Sequence, residues 1–375
     1  MKINIYGARS IPARWSGFDN TATELAEQFV KDGHEVHAYI MPKYSLPERP
    51  SLWKGVKLHY LPTIYGKHLE TPIHETLSTI VAIFHPADIH YVLGCRNSWV
   101  WIIHRLFGRK VVFNTDGLDF KRSKWGRMVQ AYLRFNYRVA AMIGTALIQD
   151  NTHIKQYFIE TYGKEGAFIS IGGHSYNSSD ESVIKQYNVS SGEYYLIACR
   201  LEPDNNILEL VQGFVQSNST KKLLVAGGAN YKSTYVEEVE KIKDLRVVFL
   251  GPVYTDNHIE ELHYHCFAYI HGHEVGGTNP SLLKAMGMKN LILANGTNYN
   301  REVLGEENGV FFDATPGDVA MAVNEADLNS ETLRHRGEKA CERMKKYYTW
   351  PYSAQLHEEY FEYLLGQRQD FRETF

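Results

Sequence analysis

An α/β protein built from two doubly wound domains is what this 375-residue sequence predicts. Three observations carry that expectation. Short apolar runs alternate with segments of helical periodicity through the first half of the chain. A polar stretch from Asn177 to Ser191, rich in Ser, Asn, Gly and charge, interrupts the pattern as a linker would. The same alternation then starts again. Such alternation predicts parallel sheets with helices on both faces.

Ile3–Tyr6 opens the first series as a buried strand. Asn20 to Lys31 follows as a helix, with Ala22, Leu25, Ala26, Phe29 and Val30 at helical spacing. Glu35–Ile40 and Val56–Tyr60 read as strands, and Glu75–Phe84 as a helix. Asp88–Leu93 is a strand, Trp99–Leu106 a helix and Lys110–Asn114 a strand. A long helix over Met128–Ala146 runs into the strand Ala146–Ile148.

The second series begins with the strand Tyr194–Ala198, the helix Ile207–Gln216 and the strand Lys222–Ala226. The helix Thr234–Lys243 and the strands Val247–Leu250 and Phe267–Ile270 come next. The helix Ser281–Met288 and the strands Leu291–Ala294 and Gly309–Phe312 complete it. Leu333 to Leu365 is mostly helical, with a break expected at Trp350-Pro351. The expected domains are 1–180, 181–348 and a closing helical segment 349–375.

Composition narrows the function. Hydrophobic residues make up 44% and charged residues 22%, ordinary values for a globular protein with proper cores. A net charge of −3 argues against a general nucleic-acid binder. Cys95, Cys199, Cys266 and Cys341 form no CxxC pair, which suits free thiols in a reducing compartment. Met1 to Gly7 is too soon broken for a secretory signal, and no apolar run approaches a transmembrane length. The expected location is the cytoplasm, at the inner face of a membrane if the chain touches one. Histidines flank Tyr264 and Gly272, yet no carboxylate or cysteine cluster completes a metal site. No metal and no bound cofactor are expected.

The most informative stretch runs from His271 to Met286. A strand feeds into it, two glycines and small polar residues follow, and a helix begins near Leu282. Such a turn aims backbone N–H groups at the helix N-terminus, where a diphosphate fits. An ordinary strand-to-helix connection is the structural alternative, since glycine motifs alone are weak signals. His273, Glu274, Gly276, Gly277, Thr278 and Asn279 are the candidate substrate-binding residues of this stretch.

Four further loops sit at strand ends. Gly7 to Asn20 carries Arg9 and Arg14 and a Ser16-Gly17 pair. It could close over a phosphorylated ligand, with Arg14 and Gly17 as candidate binding residues, or be a surface loop with solvated arginines. Its lack of a GxGxxG fingerprint disfavours a nicotinamide-cofactor domain. Asn114, Asp116 and Asp119 could bind sugar hydroxyls, and Asp116 could take or position a proton. Lys121, Arg122, Lys124, Trp125 and Arg127 could hold a phosphate, touch an anionic membrane surface, or form a solvated helix entrance. Arg200 at the mouth of a strand suits phosphate oxygens, or a salt bridge with Glu202 or Asp204. At Gly227 the missing side chain would let a ligand approach the backbone.

Taken in order, these segments resemble the retaining, nucleotide-sugar-dependent glycosyltransferases of family 4, closest to their rhamnosyltransferase-like branch. The matching stretches are Ile11 to Phe18, Asn114 to Leu118, Ala198 to Asn206, His271 to Met286 and Asn300 to Gly305. The resemblance implies the GT-B fold, two doubly wound Rossmann-like domains facing across a cleft. It implies a nucleoside-diphosphate sugar on the second domain and a glycan or lipid-linked acceptor on the first. The segment after Trp350 would return to the first domain. Arg200 would contact the donor diphosphate, Gly276 to Asn279 would hold phosphate and sugar, and Gly17 would lie in a loop over the donor. Asp116 takes about the place of an active-site histidine in many relatives.

Two departures from the pattern stand out. The wider family has an E-x7-E pattern whose second Glu binds the ribose; here Gly276 and Lys284 occupy those places. A lysine only donates hydrogen bonds, so the ribose is held otherwise or Lys284 reaches phosphate. The stretch after Arg200 also lacks the lysine often found there, and Lys284 could restore that charge. A nucleotide-sugar epimerase of the same fold and a non-catalytic sugar-nucleotide binder remain as alternatives. A dehydrogenase is the weakest.

Overall fold

The computed structural model describes residues 1–375 except Trp15, Lys67, His68, Asp116, Ser123, Lys124, Ser179, residues 229–232, Tyr254 and Asp256. The chain divides into two compact units. The first holds Met1–Gly172, apart from the segment beginning at Arg122, together with Thr349–Phe375; the second holds Gly173–Tyr348 and Arg122. The expected linker at 177–191 therefore lies inside the second unit, after the division at Gly172–Gly173.

In the first unit the strands are β1 Lys2–Tyr6, β2 Glu35–Ile40, β3 Leu52–Trp53, β4 Val56–Tyr60, β5 Ile89–Leu93, β6 Val111–Asn114, β7 Ala146–Gln149 and β8 Ala167–Phe168. Its helices are α1 Gly17–Lys31, α2 Glu70–Ile83, α3 Ile102–Leu106, α4 Arg127–Ile143 and α5 Thr152–Tyr162. The sheet order is β3-β4-β2-β1-β5-β6-β7-β8. All pairs are parallel except the β3–β4 hairpin. Its turn residues Lys54 and Gly55 both have positive φ, the backbone a two-residue hairpin of this twist demands. Strand order reverses between β1 and β5, which places the ligand-binding edge of such a sheet at the loops after those two strands.

Local chemistry explains the helix limits. Ser16 accepts from Asp19 N while Asp19 accepts from Ser16 N, a reciprocal cap that starts α1. The fully buried Asp19 also accepts from Arg9 N, so the same carboxylate shapes the preceding loop. Gly144 ends α4 earlier than the apolar pattern suggests. Asn151 caps α5 and the left-handed Gly163 closes it.

The second unit contains α6 Ser182–Lys185, β9 Tyr194–Ala198, α7 Ile207–Gln216, β10 Lys222–Ala226, α8 Thr234–Glu240, β11 Val247–Gly251 and α9 His258–His265. It continues with β12 Ala268–His271, α10 Pro280–Gly287, β13 Leu291–Asn295, α11 Asn298–Leu304, β14 Val310–Phe312, α12 Pro316–Leu328 and α13 Ser330–Tyr347. The sheet is parallel throughout, in the order β11-β10-β9-β12-β13-β14. Its core packs β-strand residues such as Ile197, Val225 and Leu293 against Leu210 and Phe214 of α7 and Val319 and Val323 of α12. Order reverses between β9 and β12, so the loops carrying Arg200 and His271 to Asn279 meet at the reversal.

The last helix, α14 Trp350–Leu364, belongs to the first unit and packs on α1. The expected break falls at Tyr348 and Thr349 instead of at Pro351. Thr349 caps the helix, and Pro351 sits within its first turn, where no N–H is needed. Among the described residues no helix is long and apolar enough to cross a membrane.

Candidate functional site

The carboxyl edge of the second sheet is stitched together by hydrogen bonds from backbone amides and asparagine side chains to backbone carbonyls. Glu274 N donates to Asp204 O at 3.0 Å, and Asn206 Nδ2 to Gly272 O at 2.9 Å. These bonds tie the loop after β9 to the loop after β12. Gly272 is required here: a Cβ would stand 2.3 Å from Asn205 O. The loop after β13 joins through Asn300, whose Nδ2 donates to His273 O and Asn295 O, each at 2.9 Å. The loop after β10 joins through Leu201 N, which donates to Gly228 O at 3.1 Å. Four strand ends thus converge on one edge.

Within it, Asn279 caps α10, accepting from Ser281 N at 3.0 Å, and Pro280 supplies the first turn. Gly276 has φ +143° with open space where a Cβ would be, so only its backbone requires glycine. Gly277 and Thr278 are buried beside it. Gly227 has φ +151°, and a Cβ would stand 1.8 Å from Cys199 O. Its role is thus close packing of the β9 and β10 loops.

Arg200 is exposed at the end of β9, and its carbonyl accepts from Asn205 Nδ2 at 2.7 Å. Arg122 Nη1 lies 3.7 Å from the buried Asp204. The rings of His271 and His273 stack at 4.4 Å. Burial pushes His271 down to about 3. Burial, with His271, Arg122 and Arg200 adding, holds His273 well below the usual imidazole value. Both rings are therefore neutral near pH 7. His273 Nδ1 is buried with no hydrogen-bond partner among the described residues. A neutral imidazole under the field of Arg122 and Arg200 can exchange a hydrogen bond with a polar ligand at this edge. Among the described residues no three His, Cys, Asp or Glu side chains stand together as metal ligands.

Lys284 lies one turn into α10, and its Nζ is 2.5 Å from Glu260 Oε1 on α9. Its charge is thus shared with a carboxylate that the sequence pattern did not single out. α9 itself escaped periodicity because its buried face holds Glu261, His263 and His265 around Leu262, with no apolar stripe.

The first unit's candidates are placed differently. Asn114 is buried, and its Nδ2 donates to Tyr91 OH at 3.1 Å. Asp119 accepts from Arg96 Nε at 2.9 Å. Arg14 is exposed, with its Nη1 3.5 Å from Ser45 O, and Gly17 is exposed at the start of α1. Asp116 lies outside the described residues. Arg96, at the end of β5 beside the strand-order reversal, went unremarked in the sequence. Its setting in Leu93-Gly94-Cys95-Arg96 parallels Ala198-Cys199-Arg200, and the rule that singled out Arg200 applies to it equally. Its guanidinium also lies 4.9 Å from the Phe18 ring centroid.

Residues 71–174 match the family model described as a domain of unknown function, DUF1972. No curated protein matches the chain in sequence. Solved structures match it along its length. Sucrose-phosphate synthase of Thermosynechococcus elongatus is 16% identical with a TM-score of 0.79, covering 97% of this chain and 99% of its own. HepE of Anabaena, solved with UDP-glucose, is 16% identical with a TM-score of 0.75, covering 96% and 99%. The catalytic domain of starch synthase IV of Arabidopsis thaliana, bound to ADP and acarbose, is 12% identical with a TM-score of 0.74, covering 97% and 99%. Two parallel-dominated doubly wound sheets, in the order seen here and shared end to end with these structures, identify the fold of this chain as GT-B.

Proposed function

We propose that this chain is a retaining glycosyltransferase of the family 4 type, nearest its rhamnosyltransferase-like branch. It moves a sugar, rhamnose or another hexose, from a nucleoside-diphosphate donor to a glycan or lipid-linked glycan during polysaccharide synthesis. The observation that carries this reading is the joining of the Arg200 loop to the His271–Asn279 loop at the strand-order reversal of the second unit. A cation, a capped helix start and an unpartnered His273 Nδ1 share that edge. Structures with UDP-glucose and with ADP among those of the same fold support a nucleotide-sugar donor.

The chemistry follows from the charges. The bond from the sugar's anomeric carbon to the diphosphate oxygen breaks, and its electron pair leaves on that oxygen. Arg200 and the amides before α10 stabilise the developing charge, so the barrier falls electrostatically. An acceptor hydroxyl oxygen bonds to the anomeric carbon on the face the diphosphate leaves, and its proton passes to the departing phosphate oxygen. No protein nucleophile and no metal enter this sequence. The free cysteines support a reducing, cytoplasmic setting.

The test is incubation with deoxythymidine-diphosphate rhamnose and with uridine- and adenosine-diphosphate hexoses. Nucleotide release and an acceptor product with the donor's anomeric configuration are expected. Failure of every nucleotide sugar to bind in calorimetry overturns the reading. The Lys284–Glu260 pair favours one second reading, a binder without turnover. Calorimetric binding with no nucleotide released selects it.

A further inference from the structure

The first unit carries a face that neither the donor site nor the core accounts for. Eleven of the twenty-two large exposed apolar side chains among the described residues lie between Ile80 and Met142. They sit on, or next to the ends of, three helices that are fastened side by side. His104 Nε2 of α3 is 2.9 Å from Thr79 O of α2, and Arg109 donates to Ala82 O and Ile83 O at 2.7 Å. On the other side Tyr132 OH of α4 donates to Asn97 Oδ1, and Trp99 N to Asn136 Oδ1. The apolar side chains stand exposed on the outer side, with arginines among them.

Leu106 of α3 is 79% and Phe107 just after it 62% exposed, and Ile102 and the preceding Trp99 are exposed as well. On α4, Met128, Phe135 and Met142 recur at seven-residue intervals and are all exposed, so they form one stripe along the helix. At roughly 100° per residue, Arg127, Arg134 and Arg138 fall along one flank of that stripe. All three are exposed.

Charge tells what covers this face. Residues 70–149, which span the three helices, hold ten Lys or Arg against three Asp and two Glu, in a chain whose net charge is −3, and both Glu70 and Glu75 are buried. One of those acids, Asp119, is buried on Arg96. A second copy of the chain would set arginine against arginine in a symmetric contact. Arginines flanking aromatic and aliphatic side chains instead match an anionic lipid surface, with apolar groups entering the acyl boundary and cations at the headgroups.

We propose that the outer face of α2, α3 and α4 docks the protein on an anionic bilayer. The face is distinct from the loop cluster of the second unit, so the inference stands whatever donor that unit takes.

The test is flotation of the full chain with phosphatidylcholine vesicles, with and without phosphatidylglycerol. The chain should float only with the phosphatidylglycerol vesicles and be released by high salt. Leu106→Ser/Phe107→Ser and Arg134→Glu/Arg138→Glu should each lower the bound fraction roughly tenfold at an unchanged thermal midpoint. Leu245→Ser, at an exposed position of the other unit, should not. The unmutated chain gives an independent readout: Trp99 fluorescence should shift blue on phosphatidylglycerol vesicles, a shift absent from Trp99→Phe. No flotation with anionic vesicles, or undiminished flotation of both double variants, overturns the proposal. So does a vesicle-independent dimer that Leu106→Ser/Phe107→Ser abolishes, which gives the face to a second copy.

Discussion

Lys284 Nζ of α10 is held 2.5 Å from Glu260 Oε1 of α9, both side chains about a third exposed. The pair stands one helical turn from the capped start of α10, where the glycine loop ends. A lone lysine there would be a full positive charge aimed at a phosphate; this one is partly neutralised. If the proposed donor's diphosphate sits at this edge, removing Lys284 leaves it facing an uncompensated Glu260. Lys284→Ala is therefore expected to raise the donor KM about tenfold, the scale of one charge-assisted hydrogen bond. Adding Glu260→Gln should recover part of that loss. Because the pair is exposed, Lys284→Ala should cost under about 1 kcal/mol of stability. Steady-state donor titrations and thermal unfolding read the two effects separately. An unchanged KM rules out any contact of Lys284 with donor phosphate.

Arg200 is exposed, so its loss should spare the fold and strike turnover. Arg200→Ala is expected to lower kcat/KM by about 100- to 1000-fold, the range for losing one group that stabilises developing charge. Arg200→Lys should retain only part of the activity, since an ammonium lacks the guanidinium's fork. Nucleotide release measures both. A wild-type rate in Arg200→Ala would move the leaving-group role elsewhere.

The two glycines of the candidate site separate packing from backbone strain. A methyl group at Gly227 meets Cys199 O at 1.8 Å, while at Gly276 it meets nothing within 4 Å. Both have positive φ. Gly276→Ala should cost about 1–2 kcal/mol from strain alone. Gly227→Ala adds a steric clash with backbone to the same strain and should cost distinctly more. Urea unfolding of the two variants decides it; equal costs would mean that the Cys199 loop gives way freely.

Much of the fold was legible because buried strands advertise themselves: β2, β4, β9, β10 and the helix α7 have the limits that their apolar runs and periodicity suggest. What escaped was buried polarity. α9 packs through Glu261, His263 and His265, and α11 opens with Asn298-Tyr299-Asn300, so neither shows an apolar stripe. The same limit governs the site. Asn114 ends a strand beside polar residues, yet its amide serves Tyr91, and no feature of the local sequence distinguishes inward from outward hydrogen bonding. Lys284 was visible as a departure from pattern, but its partner Glu260 lies 24 residues away on another helix. Such pairings follow from three-dimensional packing.

The relay that engages Asn114 also sets a pH limit. Asn114 Nδ2 donates to Tyr91 OH, which lies 2.9 Å from His357 Nε2, while His357 Nδ1 is 2.7 Å from Ser353 O. Nδ1 must carry the proton to serve a carbonyl, which leaves Nε2 to accept from Tyr91, so the arrangement is that of a neutral ring. Burial pushes His357 from 6.5 down to about 4. The folded state thus resists a proton that the unfolded state takes up. Stability from this group is present above pH 6.5 and is lost as pH falls toward 4, by on the order of 3 kcal/mol. Glu75 on α2 has the opposite sign: burial raises it from 4.5 to about 8. Its contribution is complete below pH 4.5 and is lost as pH rises toward 8. The expected profile of unfolding free energy against pH therefore has two limbs with separate origins. His357→Gln should make the acid limb between pH 4 and 6.5 shallower by one proton's share, and Glu75→Gln the alkaline limb between 4.5 and 8, since other buried groups such as His271 and Glu358 carry the same signs. Chemical unfolding at several pH values measures both. A His357→Gln protein that still loses stability as steeply on acidification would assign the acid limb to other buried histidines, His90, His263 and His271 first, which burial brings to about 3.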